Sequence, residues 1–563
     1  MKANRISGSG VEPGGAYFNF AGAVRKAGPE RQTMNTELRD EQADLLHREP
    51  LPVDLLINSL DRYADRTAVH IGDETLTYRD VRDQISRFAQ ALASLGIGVG
   101  STAAVLSANR PEVLFIQGAN NLSGVRAVSL HPMGSLDDHA YVLTDAGIET
   151  LIYDPAGYEE RAAQLQEKVP GLRNLLAFGP TAAGTDLIEL AASFEPAPLR
   201  SPDVDPDDAM SVAYTGGTTG KPKGVLMSYR GSSTLLRIQM TEWEWPEEIR
   251  FLVCTPLSHA GAAFWNPTSM QGGSITVLPG FHPTKVLEAI EKYKITATML
   301  VPTMLYALLD SPDLDKYDLS SLKTIFYGAS AISPARLKEA IEKFGPIFFQ
   351  FYGQAESPMT ISVLRKGDHD LNKPERLASC GRPVPWLKVA LLDDKGNEVE
   401  PGEPGEICVR GPLVMKGYLN KPEQTRDATE FGWLHTGDIA RQDDEGFLYI
   451  VDRKKDMIVS GGFNVYPREV EDVLSAHPAV SAAAVIGVPD EKWGEAVKAV
   501  VVLRSGQAVE PAELQALVKE RKGAVYTPKS VDFADSIPVS PLGKPDKKAL
   551  RAQYWDGTGR QVN

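Results

Sequence analysis

The run Y-T-G-G-T-T-G-K-P-K-G-V at Tyr214–Val225 constrains this chain more than any other stretch. It holds four glycines, hydroxyls on Thr215, Thr218 and Thr219, two lysines (Lys221 and Lys223), and no acid. Glycine lets a backbone approach a ligand closely and adopt dihedrals that other residues avoid. Successive free N–H groups form an anion-binding concavity, to which Thr hydroxyls and Lys ammonium groups add donors and charge. The physical reading is a loop that wraps a polyphosphate. It is not the Walker form, which needs Ser or Thr after the lysine, because Pro222 follows Lys221. The alternative is a Gly/Thr linker, but linkers seldom carry lysines among their glycines.

Short apolar runs alternate with helical patterns on both sides of this loop. Before it come Ala103–Leu106, Val113–Ala119, Val125–Leu130, Ala140–Ala146 and Thr150–Tyr153. After it come Phe251–Thr255, Ser274–Leu278, Val286–Lys292, Ala297–Val301 and Thr324–Tyr327. Such alternation predicts α/β layers with largely parallel sheets. Thr77 is placed to cap a helix whose apolar stripe runs Val81, Ile85, Phe88, Ala89, Leu92, Leu95. From about residue 390 the runs Val389–Leu392, Glu406–Arg410 and Gly446–Val451 predict a small β-rich subdomain. Beyond Asp452 the pattern is a small α+β unit, with helices over Pro467–Ala476 and Glu510–Arg521 and strands over Ala482–Val488 and Ala496–Leu503.

A chain of 563 residues is too long for one ordinary core, so two or more domains are expected. A net charge of −15 argues against nucleic acid as a partner and leaves the local basic loop to meet a polyphosphate. Three widely spaced cysteines, Cys254, Cys380 and Cys408, fit a reducing cytoplasmic setting without disulfides or a zinc site. No apolar run has the length of a membrane span. Residues 1–35 mimic a signal peptide weakly, but Asn19 and the surrounding Gly and Pro residues break the apolar core. They read instead as a disordered extension, with Met34 an alternative start.

Several short constellations carry chemistry. Pro256–Gly261 closes a strand with His259, which in isolation is more often structural. Ala262, Ala263, Phe264 and Trp265 follow it, small residues and then aromatics, a composition suited to an apolar pocket. Gly328-Ala329-Ser330 ends a strand where α/β proteins hold ligands, although an ordinary strand-to-helix turn looks the same. Tyr352-Gly353-Gln354-Ala355-Glu356 puts a ring able to stack on a base beside a carboxylate able to hold Mg²⁺ near phosphates. Gly437-Asp438 offers an acid for a ribose diol, and Arg453 a donor for the same sugar. Lys544 sits on a tight loop bounded by Gly543 and Pro545.

In this order, the set resembles the adenylate-forming superfamily of acyl- and aryl-CoA synthetases, adenylation domains and luciferases, and most of all the bacterial acyl-CoA synthetases. The resemblance spans about residues 50 to 553 and also takes in Gly405-Glu406 to Gly417-Tyr418, Asp452-Arg453 and Ser460–Asn464 with Glu469. It implies a flexible extension over 1–50, a large AMP-binding domain over 51–452, a hinge over 453–455 and a mobile C-terminal domain over 456–563. It implies ATP-dependent activation of a carboxylic acid to an acyl-adenylate with pyrophosphate release, then transfer to CoA. Thr215, Gly216, Gly217, Thr218, Thr219, Gly220, Lys221 and Lys223 are implied to hold phosphates, and Glu356 with Thr215 to hold Mg²⁺. Tyr352 and Gly328–Ser330 are implied to sandwich adenine, Gly353, Gln354 and Ile450 to complete that site, and Asp438 and Arg453 to hold the ribose. Lys544 is implied to bridge the substrate carboxylate and the α-phosphate, Lys455 to act as the hinge, and Ser460, Gly461 and Gly462 to form a tunnel for CoA. One departure stands out: the family usually has Thr before the metal-binding glutamate, and here Ala355 is there.

The resemblance also bears on the acid. Amino-acid-activating relatives carry Asp directly after the position of His259, and here it is Ala260, which speaks against an α-amino acid. His259, Ala262, Ala263, Phe264, Trp265 and Gly328 are the expected acyl pocket, with room for a medium-to-long or bulky acid. A second reading is an adenylating enzyme that hands its acyl group to a carrier protein or a separate acceptor enzyme. A third is an inactive nucleotide-binding homologue, against which Lys544, Glu356 and Asp438 speak. A homodimer is compatible with these features.

Overall fold

Thr77 shows how local chemistry sets the helices. Its hydroxyl accepts the Asp80 N–H at 3.2 Å, and the Asp80 carboxylate accepts the Thr77 N–H at 2.8 Å. This reciprocal box starts the helix Tyr78–Ser94, which buries Val81, Ile85, Phe88 and Leu92 as the spacing predicts. Leu95 lies just past the helix end and is exposed, so the expected stripe is one residue too long.

The computed structural model describes residues 48–215, 222–453, 456–460, 463–490, 493–539 and 545–554. Residues Pro50–Asn563 form one unit, built on four sheets. The first has eight strands, from Gly417–Tyr418 and the hairpin Lys223–Ser228/Ala209–Thr215 through Arg126–Ser129 and Thr102–Leu106 to Thr185–Asp186. Its inner strands pair in parallel. Thr102–Leu106 is buried at every position, as a parallel strand covered on both faces must be. The second sheet has nine strands, and its parallel centre includes Arg250–Val253, Ala297–Leu300 and Thr324–Gly328. The expected β-rich part is a four-stranded antiparallel sheet of Lys388–Leu392, Gly405–Arg410, Leu434–Gln442 and Leu448–Arg453.

The C-terminal part packs helices Pro467–Ser475 and Pro511–Lys522 on a sheet centred on the long pair Val480–Asp490 and Gly494–Leu503. The architecture is therefore mixed α/β, with a large multi-sheet N-terminal domain and a smaller C-terminal one. Lys454 and Lys455 lie outside the described residues, and so does any test of the hinge.

Asn109 fastens the two large sheets together. Its Nδ2 donates to the Thr255 carbonyl at 2.9 Å and its Oδ1 accepts the Leu257 N–H at 2.8 Å, across almost 150 positions of sequence. Those two bonds fix the backbone that carries His259.

Candidate active site

The two sides of the polyphosphate loop are strands paired in register, Tyr214 with Gly224 and Thr215 with Lys223. Residues 216–221, including Gly216, Gly217, Thr218, Thr219, Gly220 and Lys221, lie outside the described residues. The short strand Gly417–Tyr418 adds to the hairpin, pairing Tyr418 with Val225. From there the Tyr418 hydroxyl donates to Glu356 Oε1 at 2.7 Å, and the Lys223 ammonium stands 4.0 Å from the Tyr418 ring centre. Burial, with the Glu356 carboxylate beside it, pushes the Tyr418 phenol well above its usual range, so it remains a donor.

Glu356 is buried, in the turn that joins strands Phe348–Gln354 and Ser357–Leu364. Among the described residues only its Oε1 is engaged by a side chain. A hard cation is coordinated by oxygen donors such as a carboxylate. The remaining Oε2 therefore fits Mg²⁺, with the Thr215 hydroxyl on the same cavity wall. That hydroxyl is held only loosely, at 3.5 Å from the Lys223 carbonyl, and is available to a phosphate or metal. Ala355 lines the cavity without a hydroxyl of its own.

A second cluster faces the first. Asp438, 4 % exposed, accepts the Tyr352 hydroxyl at 2.6 Å through Oδ2 and pairs with Arg453 Nε at 3.1 Å through Oδ1. Burial, then the Asp438 charge, raises the Tyr352 phenol far above its usual range. The carboxylate keeps lone pairs for a diol. Its turn is bracketed by Glu406, whose Oε1 accepts the Gly437 N–H at 2.8 Å, and by Thr436, whose hydroxyl donates to the Ile407 carbonyl at 2.7 Å. His435 closes this bracket against Glu406 Oε2 at 3.1 Å.

Both clusters open on one cavity of about 3380 Å³. His259, Ala262, Ala263, Ala329, Ser330, Gly353, Gln354 and Ile450 line it. The His259 Nδ1 lies 2.8 Å from the Ser258 hydroxyl, and its ring meets His131 edge-on at 4.9 Å. Ala329 has φ of 66°, a left-handed backbone unusual outside glycine, at the end of its strand. Val539 and Pro545, paired across residues 540–544, also face the cavity, although Lys544 itself is outside the described residues.

Three expectations change. Phe264 is fully buried and stacks on Phe251 at 4.7 Å, and Trp265 packs against Tyr78 at 6.4 Å; both belong to the core and neither lines the cavity. Gly328 is not on the wall either, because a Cβ there would lie 2.4 Å from the Phe351 carbonyl, and its smallness serves strand packing. Ser460 is buried in the strand Ile458–Ser460, whose Ile458 and Val459 line the cavity, and Gly461 and Gly462 lie outside the described residues. Tyr418, Glu406, Thr436, His435 and Asn109 received no individual role from sequence. For Tyr418 and Glu406 the signal was their place beside glycines in the matching motifs.

Residues 57–419 match the AMP-binding enzyme family, and residues 469–544 match the AMP-binding enzyme C-terminal domain. The chain belongs to the AMP-binding enzyme family. It is 56 % identical over 521 residues to the medium/long-chain-fatty-acid–CoA ligase FadD8 of Mycobacterium tuberculosis H37Rv, covering 90 % of this chain and 91 % of that one. It is 36 % identical to feruloyl-CoA synthase of an Amycolatopsis species, over 87 % of this chain and 96 % of the relative. Among solved structures, the amide bond synthetase McbA of Marinactinospora thermotolerans superposes with a TM-score of 0.83 at 35 % identity, covering 90 % of this chain and 100 % of that one. This member of the family is an AMP-forming acid–thiol ligase that uses ATP, Mg²⁺ and CoA. No helix among the described residues is long and apolar enough to cross a membrane.

The arrangement can hold and polarise a nucleotide. When bound, Mg²⁺ neutralises charge on the phosphate oxygens. Tyr418 orients the Glu356 carboxylate, and Tyr352 with Arg453 holds the Asp438 carboxylate in place.

Proposed function

We propose that this ligase activates a medium-to-long or bulky hydrophobic acid, and that CoA is its natural acceptor. One observation carries the reading. The cavity that holds Glu356 and Asp438 at its polar end is continuous with a wall of Leu235, Leu236, Ala262, Ala263, Met299 and Met304. An apolar wall with a few polar anchors selects a hydrophobic tail and leaves the carboxylate at the charged end.

In this reading Thr215–Gly224 holds the β- and γ-phosphates, Lys544 bridges the substrate carboxylate and the α-phosphate, and the C-terminal domain turns about Lys455. The turn withdraws Lys544 and brings Ser460–Gly462 to the thiol path. The three cysteines are all buried and form no disulfide among the described residues, which fits a cytoplasmic setting. The similarity to an amide bond synthetase supports a second reading, in which the acyl-adenylate passes to a carrier protein or a separate acceptor. Pyrophosphate release across a panel of acids, with and without CoA, together with detection of the thioester, decides between them. Release that never yields an acyl-CoA would overturn CoA as the acceptor. A homodimer is tested by light scattering.

A further inference from the structure

Near Ala263 the wall also carries carboxamides, Gln239 among them. Gln117, Asn120 and Asn121 on the helix Pro111–Leu122, Gln239 on the helix Tyr229–Glu242, and Asn266 all line the cavity. Carboxamides are mostly exposed in folded proteins. Five carboxamides on the cavity wall, three of them on one face of one helix at i, i+3 and i+4, call for a ligand with polar atoms of its own.

Two of these amides are unsatisfied. Asn120 is 0 % exposed, and among the described residues neither its Oδ1 nor its Nδ2 has a hydrogen-bond partner. Gln239 is also 0 % exposed; its Nε2 donates to the Ala263 carbonyl at 3.4 Å, and its Oε1 has no partner among the described residues. A buried amide without partners destabilises a fold, and apolar side chains of the same size would remove that cost. Among the described residues, nothing packed against these helices uses the free atoms.

We propose that the acid taken by this chain carries a hydroxyl group beyond its carboxyl end, and that Asn120 and Gln239 are the residues that recognise it. This rests on the reading of the cavity as the acyl site. The chemistry of the free atoms selects the group. Gln239 Oε1 can only accept, so its partner must donate, which a ketone or an ether oxygen cannot do. A hydroxyl both donates and accepts, and so matches Asn120 as well. The helix Tyr229–Glu242 carries the cavity wall from Gln239 to Ser232, roughly 10 Å at the α-helical rise, enough for a mid-chain or a terminal hydroxyl to lie along it. Both amides are fully buried at the cavity wall, and an unsubstituted tail in that place leaves both unpaired.

The test compares pyrophosphate release from matched acids: cinnamate with para-coumarate, and dodecanoate with its mid-chain and ω-hydroxylated isomers. The wild type, Asn120→Leu and Gln239→Met are assayed in parallel. At least one hydroxylated acid is expected to exceed its parent in kcat/KM by ~10-fold or more in the wild type, because a site built around a hydroxyl discriminates against the analogue that lacks it. In each variant that ratio collapses toward unity. Both variants are expected to melt no lower than the wild type, which separates loss of recognition from loss of fold. Equal use of parent and hydroxylated acids by the wild type, or a preference that survives both substitutions, overturns the assignment and leaves the ligase reading intact. If no acid in the panel releases pyrophosphate, the acyl-site reading itself fails.

Discussion

Tyr418 and Glu356, 62 positions apart in sequence, are joined by a hydrogen bond of 2.7 Å that ties the strand beside the polyphosphate loop to the carboxylate suited to Mg²⁺. The hairpin strand Lys223–Ser228, which pairs with Gly417–Tyr418, is thereby coupled to this carboxylate.

Tyr418→Phe removes that bond and little else. A hydrogen bond to a charged group is worth about 1.5–3 kcal/mol, so pyrophosphate release should fall by ~10-fold or more and need higher Mg²⁺ for half-saturation. Thioester formation from a supplied acyl-adenylate should change little. An unchanged Mg²⁺ dependence would show that Tyr418 does not orient Glu356.

Lys544→Ala should depress adenylation by ~100-fold or more, as loss of a preorganised charge does. The thioester half-reaction, started from synthetic acyl-adenylate, should be far less affected. Equal loss in both half-reactions would sink the two-position role of the C-terminal domain.

Lys455→Pro fixes the backbone at the proposed hinge. Pyrophosphate release should persist while acyl-CoA formation becomes slow. Normal rates for both steps would place the hinge elsewhere.

Ala263→Trp fills the cavity beside Gln239. Overfilling an apolar site costs about 1–3 kcal/mol, so the KM for bulky acids should rise by ~10-fold while that for acetate and ATP stays close to wild type. A uniform loss with every acid, together with a lower melting temperature, would show that Ala263 supports the fold rather than selecting the substrate.

Asp452 offers a pH signature. Its carboxylate accepts the Arg453 N–H at 2.6 Å and the Arg468 N–H at 3.1 Å, yet burial raises its pKa from 3.8 to about 6. A carboxyl with a raised folded-state pKa holds its proton more tightly in the folded chain. Its contribution to stability is thus fully present below pH 3.8 and is lost as pH rises through about 6. The melting temperature of Asp452→Asn minus that of the wild type should therefore increase between pH 5 and pH 7.5, by a few °C. A difference independent of pH would mean that Asp452 is not protonated near pH 6.

The sequence by itself determined the local layer. The glycines, threonines and lysines of Tyr214–Val225 point to a loop for phosphates, because backbone freedom and donor density are properties of the residues themselves. Thr77 and Asp80 specify a helix start, and the period of Val81, Ile85 and Phe88 specifies its buried face, because each depends on neighbours within four positions. Only the tertiary structure decided which residues meet across distance. Phe264 and Trp265 look like a pocket floor in sequence but lie in an aromatic core, since a large apolar side chain is equally at home in either. Asn120 and Gln239 look like ordinary helix residues, and only the absence of partners among the described residues marks them. Tyr418 with Glu356, and Asn109 with Thr255 and Leu257, form bonds between segments far apart in the chain. Hydrophobic period reports the face on which a residue lies; whether a polar atom on that face is satisfied depends on the packing of other elements, which no local pattern encodes.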